Sequence, residues 1–184
     1  MRPSTWLTTL AVACAVTSSS AVLAACPDLD GDTYCDISVL RGRLTRNLIG
    51  STSLRGMIGL QGEFFTDPAG GDVFDTSAGI VAHITDGLNF DRTFTWTPID
   101  CVVFASNGHT RCASPDGNVR GLFVSLRRTP QIFSFKIKVK ALDIAAPFLR
   151  PITLTLTHGA GPIIRKGDVD ECKASSKGMY CRSL

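Results

Sequence analysis

Tryptophan, tyrosine and histidine are scarce in this chain of 184 residues, with two, two and three copies. So few exposed-ring candidates leave no aromatic platform for stacking sugars. The three histidines, His83, His109 and His158, fall in no H-E-x-x-H pattern, and G-x-S-x-G and phosphate-cradling glycine motifs are also missing. Gly56, Gly59 and Gly62 recur at three-residue steps, but within an apolar run and without the following helix that a dinucleotide site needs. They read instead as close strand packing or a bulge. A strong charge of one sign is lacking too. The formal net charge is +3, or +3 − 1 = +2 without Arg2, too small to argue for nucleic acid or an anionic membrane. Beyond the first 24 residues no apolar run is long enough to span a bilayer as a helix, so the mature chain is expected to be soluble.

Residues 1–24 read as an export signal. Arg2 provides the positive charge, Trp6 to Thr17 the apolar centre, and small residues lead to Ala24 and Ala25. Val22-Leu-Ala24 suits ordinary cleavage, whereas Leu23-Ala-Ala-Cys26 resembles a bacterial lipobox that would lipidate Cys26. Removing the signal takes away Cys14 and leaves Cys26, Cys35, Cys101, Cys112, Cys172 and Cys181. An even set in an exported chain implies disulfides, and lipidating Cys26 would strand one thiol, so free secretion is the reading adopted.

The body of the chain is made of short runs separated by Gly, Pro, Asn and Asp. Phe133, Phe135, Ile137 and Val139 share one face of a strand, with Ser134, Lys136, Lys138 and Lys140 on the other. Ile152 to Thr157 alternates likewise, and Val119 to Leu126 reads as a further strand. Earlier candidates are Val39–Leu44, Leu54–Phe65, Gly79–Thr85, Phe90–Thr97 and Cys101–Phe104. Asp67 to Asp72 reads as a loop and Asp86-Gly87 as a tight turn. This pattern predicts an all-β fold, an antiparallel β-sandwich of Ig-like or jelly-roll-like kind stapled by local disulfides.

Two cysteine pairs fit hairpins. Cys101 opposite Cys112 leaves a four-residue loop, Ala105 to Gly108; Cys172 opposite Cys181 leaves Ser175 to Gly178. Both loops have Ser second and Gly fourth, where a closing glycine with positive φ is expected. Each closure is worth roughly 2.5–3 kcal/mol in the chain-entropy model.

The one run with ligand chemistry is Cys26-Pro-Asp-Leu-Asp-Gly-Asp-Thr-Tyr-Cys-Asp36. Carboxylates at alternate positions can converge on one hard cation while Gly31 eases the turn. Without a cation they repel one another. This D-x-D-G-D-x-x-x-D run resembles a thrombospondin type 3 calcium repeat over residues 26–36 and nowhere else. The resemblance implies calcium held by Asp28, Asp30, Asp32 and Asp36, and the spacing adds the Tyr34 carbonyl. The run departs from such repeats in being a single copy with Thr33 in place of a second glycine, and Val39 stands where an EF-hand needs glutamate. Affinity is expected on the order of 10⁻⁴ to 10⁻³ M. A Cys26–Cys35 bond would pre-shape the loop.

Lys136, Lys138 and Lys140, with Arg127 and Arg128 nearby, offer a basic face for acidic glycans. The reading preferred is a solvated strand side that discourages edge pairing. Asp168, Asp170 and Glu171 could contribute to a second calcium site or form an exposed turn. The expected organisation is therefore a signal peptide (1–24), an Asp-rich calcium segment (25–37) and a β-sandwich (38–184). The expected function is a secreted, non-catalytic module for extracellular binding, adhesion or surface structure, with a protein or glycan partner and no nucleic acid. The alternatives are an extracellular hydrolase with an unseen site and a lipoprotein anchored through Cys26.

Overall fold

The computed structural model describes residues 34–47, 54–104, 106, 108–144, 147–160 and 163–182. Among these there is no α-helix, only strands, turns and two short 3-10 turns. The strands are β1 (Cys35–Thr45), β2 (Gly56–Phe65), β3 (Ile80–Thr85), β4 (Asp91–Trp96), β5 (Cys101–Phe104) and β6 (His109–Ala113). They continue with β7 (Val119–Leu126), β8 (Thr129–Leu142), β9 (Ile152–His158), β10 (Ile163–Val169), β11 (Glu171–Ser175) and β12 (Gly178–Arg182).

The strands form one mixed, nearly closed sheet in the order β4-β3-β9-β10-β1-β2-β8-β7-β6-β5, with the β11–β12 hairpin attached to β1. β1 is the joint. Cys35 and Asp36 pair with β10, and from Arg41 onward the strand pairs with β12. Its other edge runs along β2.

The β1–β10 pair is parallel, which corrects the expectation of purely antiparallel pairing. The crossover that parallel neighbours need is supplied here by most of the chain, because residues 35–36 meet residues 165–166. Short local connections do not report such a contact.

Alternation builds the core. Phe135, Ile137 and Val139 of β8 are buried as their spacing predicts, and Leu154 and Leu156 of β9 join them in one cluster with Ile80, Ile84, Leu40, Ile58 and Leu60. Opposite the joint, Trp96 at the end of β4 closes the shell. Its indole N–H donates to the Val119 carbonyl at 3.3 Å, and Phe123 meets its ring edge-on at 6.5 Å. Gly121 leaves room for that indole, since a Cβ there would lie 2.9 Å from Phe123 and 3.3 Å from Trp96.

Both hairpin disulfides are present, with the cysteines directly opposite each other. Phe104 pairs with His109 and Gly108 has a φ of 60°, as expected. The second differs. Ser175 pairs with Gly178, so only Ser176 and Lys177 form the loop. Gly178 is needed for a different reason: a Cβ there would sit 2.0 Å from the Leu44 carbonyl oxygen, where β12 lies against β1.

Candidate functional site

The outward face of β12-β1-β2-β8-β7-β6 carries most of the exposed cations contributed by strands. Register places them in two rows running across the sheet. One row reads Lys173, Tyr180, Arg43, Gly59, Lys138 and Arg120. The next reads Glu171, Arg182, Arg41, Gln61, Lys136, Leu122 and Arg111. Each side chain points outward because its neighbours point in: Leu40, Gly42 and Leu44 bracket Arg41 and Arg43, while Phe135, Ile137 and Val139 bracket the lysines. With strands about 4.8 Å apart, the rows extend roughly 24 Å from β12 to β6.

Opposite charges across strands stabilise a sheet and like charges destabilise it. Here Arg41 faces Arg182, and Lys138 faces Arg120. Among the described residues, the ion pairs His83–Asp91 and Arg165–Asp72 involve none of these cations. The face is therefore a concentrated positive field on a chain of nearly balanced total charge.

It is also hollowed. One depression of about 340 Å³ is lined by Arg41, Arg43, Lys136, Lys138, Tyr180 and Met57, among others. A second, of about 320 Å³, continues past Gln61 to Glu63 and Val124. A third, of about 500 Å³, lies towards β5, where Val102, Phe104 and Leu122 meet Arg111, Arg120 and Lys138. Cationic and apolar side chains thus share the third hollow. Glu63, Glu171 and Asp100 stand at its margins.

This arrangement corrects the edge-protection reading of the lysines. β8 lies between β2 and β7, with both edges paired, so Lys136 and Lys138 guard no open edge. Arg127 and Arg128 occupy the β7–β8 turn, and the additional cations come from β1, β6, β7, β11 and β12.

A second polar constellation is internal. Arg165, Asp72 and His158 are 0%, 0% and 2% exposed. Arg165 donates from Nε to His158 Nε2 at 3.1 Å, from Nη1 to the Phe65 carbonyl at 2.8 Å, and from Nη2 to Asp72. Its guanidinium also lies 4.4 Å from the Phe64 ring centre. Burial, reinforced by the neighbouring guanidinium, pushes the His158 pKa down to about 3, so the ring is neutral and accepts at Nε2. The cluster ties β10, β9, the end of β2 and the 67–72 loop together, out of reach of any ligand. It is a structural pin.

Cys26, Asp28, Asp30 and Asp32 lie outside the described residues. Tyr34 is exposed, with the Lys166 ammonium 5.6 Å from its ring centre, and Asp36 is half-buried in β1 opposite Lys166. Cys35 is disulfide-bonded. His83 sits on the wet side of β3 with Asp91 at 2.8 Å, and His109 packs on Phe104 at 4.7 Å. Asp168, Asp170 and Glu171 are exposed. Among the described residues no group of three or more His, Cys, Asp and Glu is arranged to hold a metal, and no helix is long and apolar enough to cross a membrane.

No family model, curated protein or solved structure matches this chain.

Proposed function

We propose that this protein is an exported, non-catalytic binding module whose ligand is an acidic polysaccharide held on the cationic face. The observation that carries the reading is the alignment in two rows of cations from β11, β12, β1, β8, β7 and β6, interrupted at β2 by Gly59 and Gln61 and including like charges placed directly opposite one another. Like charges placed opposite one another weaken a sheet, and a bound anion would relieve that cost. An array of this length suits an extended polymer. Within the two rows half-buried Leu122 is the one aliphatic side chain, too little to anchor in a bilayer, and Tyr180 is the only aromatic residue, which argues against base stacking.

In this reading residues 25–37 form a calcium-ordered, thrombospondin type 3-like segment leading into an Ig-like or jelly-roll-like β-sandwich, with the chain secreted after cleavage near Ala24. A non-catalytic role is supported by the histidines. His158 is sealed in the core, His109 packs at a tilt against Phe104, and His83 is occupied by Asp91 on a different part of the surface.

Equilibrium binding of the exported protein to dextran sulfate, neutral dextran, duplex DNA and vesicles containing anionic lipid tests this proposal. Dextran sulfate is expected to bind at least tenfold more tightly than DNA or vesicles, and neutral dextran not at all. Equal or tighter binding to DNA or vesicles would overturn it.

A further inference from the structure

Gly59 stands in the middle of the cationic rows with no internal reason to be glycine. Its φ is not in the left-handed region, and an added Cβ would meet only the Arg43 carbonyl oxygen, at 3.8 Å. The contrast with other strand glycines is plain. At Gly56, Gly121, Gly167 and Gly178 a Cβ would approach other atoms to between 2.0 and 2.9 Å. A glycine in a strand interior weakens the strand and gives nothing to pack, so an unforced one marks a place where something else approaches the backbone.

What the missing side chain leaves is a bare floor. Arg43 and Lys138 flank Gly59 in one row, and Arg41 and Lys136 flank Gln61 in the next. The four cations line one hollow together with Tyr180. They stand near the corners of a rectangle of about 10 by 7 Å.

We propose that the slot over Gly59 is the primary anion subsite of this face and receives a sulfate ester of the polysaccharide. A planar carboxylate is satisfied by one bidentate arginine fork. A tetrahedral sulfate standing on an open floor spreads its terminal oxygens towards several donors, which four surrounding cations supply. Gln61 adds a neutral donor between Arg41 and Lys136. The inference rests on the reading of the face as a polysaccharide site and identifies the group that anchors it.

The test fills the slot without touching a charge. Gly59→Ala and Gly59→Val are titrated with dextran sulfate and with polygalacturonate, which carries carboxylates only, and their thermal midpoints are measured. Gly59→Val is expected to lose at least tenfold in dextran sulfate affinity with an unchanged or raised midpoint, and Gly59→Ala about threefold. The wild type is expected to bind polygalacturonate at least tenfold more weakly than dextran sulfate. Lys136→Gln/Lys138→Gln provides the separating control. If it weakens binding while both Gly59 variants bind like wild type, the slot is wrong and the polysaccharide reading stands. If none of these changes matters, both fail. Polygalacturonate bound as tightly as dextran sulfate would overturn the sulfate assignment. Should Gly59→Val fold poorly, Gly59→Ala decides, because its Cβ makes only ordinary contact.

Discussion

Arg41 and Arg182 face each other across the β1–β12 ladder, both exposed and on the same side of the sheet. At position 41 an aspartate or glutamate would be the ordinary stabilising choice, while Arg182 already has Glu171 opposite it on β11. The pair sits at the joint of the whole fold, since β1 also carries β2 and the start of β10. Repulsion there is tolerated by a strand already held on both edges.

Neutralising one member of that pair is expected to separate stability from binding. Arg41→Gln, which removes the repulsion and leaves Arg182 opposite Glu171, should raise the unfolding free energy by a few tenths to about 1 kcal/mol, measured by urea denaturation. The same variant should lower dextran sulfate affinity. A loss of stability would mean that the arginines satisfy each other's surroundings in some other way.

The buried pin gives a pH signature. The folded His158 pKa of about 3 lies below the ordinary value of 6.5, so between these limits the unfolded chain binds a proton that the folded chain does not. Stability should therefore be complete above pH 6.5 and fall towards pH 3 by roughly 1.4 kcal/mol per pH unit from this group. His158→Gln retains an acceptor for Arg165 and should flatten the profile in that window. A slope unchanged in the variant would reassign the effect.

Asp72 is the only carboxylate among Arg165's hydrogen-bond acceptors. Asp72→Ala should cost about 3–5 kcal/mol, because it leaves a buried guanidinium without its counter-charge. Chemical denaturation measures this directly, and a cost below about 1 kcal/mol would show that the core rehydrates around Arg165.

Asp86 organises the β3–β4 turn. One carboxylate oxygen accepts from the Leu88, Asn89 and Phe90 amides, and the other from Leu149 at 2.9 Å. Burial opposes its ionisation, but these four donors prevail and hold its pKa below the usual carboxylate value. Its contribution should be present above the unfolded pKa near 4 and disappear as pH falls through the lower folded value. Asp86→Ala should cost roughly 1.5–3 kcal/mol at neutral pH and progressively less in acid, by thermal melts at several pH values.

The strands were largely legible because alternation is a local property. β8 and β9 show it clearly, and the cysteine spacings located two hairpins. β10 was not legible, because buried Arg165 takes an inward position where an apolar residue is expected. Asp72 hid in the same way, as a buried acid in a loop that reads as exposed. The cationic face was visible only in pieces. Leu40-Arg41-Gly42-Arg43-Leu44 predicts two outward arginines, and β8 predicts outward lysines, but nothing local says that β1 and β8 sit two strands apart. The net charge of +3 concealed the face further, since acids elsewhere in the chain balance it. Gly59 recurs in step with Gly56 and Gly62, and only the space above it sets it apart.

Calcium is tested by calorimetry of the exported chain with and without millimolar calcium. A bound ion raises the transition by mass action. Intact mass of the same material reports cleavage near Ala24, any lipid on Cys26 and the number of disulfides. An unmoved transition would remove calcium from the account.

The central claim is that the paired cation rows are the binding surface, and charge removal on that surface tests it most directly. Dextran sulfate is titrated against wild type and against Arg41→Gln/Lys136→Gln, at low salt and at physiological salt. The account predicts wild-type affinity that falls steeply with salt, and a double variant at least tenfold weaker with a shallower salt dependence. Wild-type affinity and salt response in the double variant, with the fold intact, would contradict it.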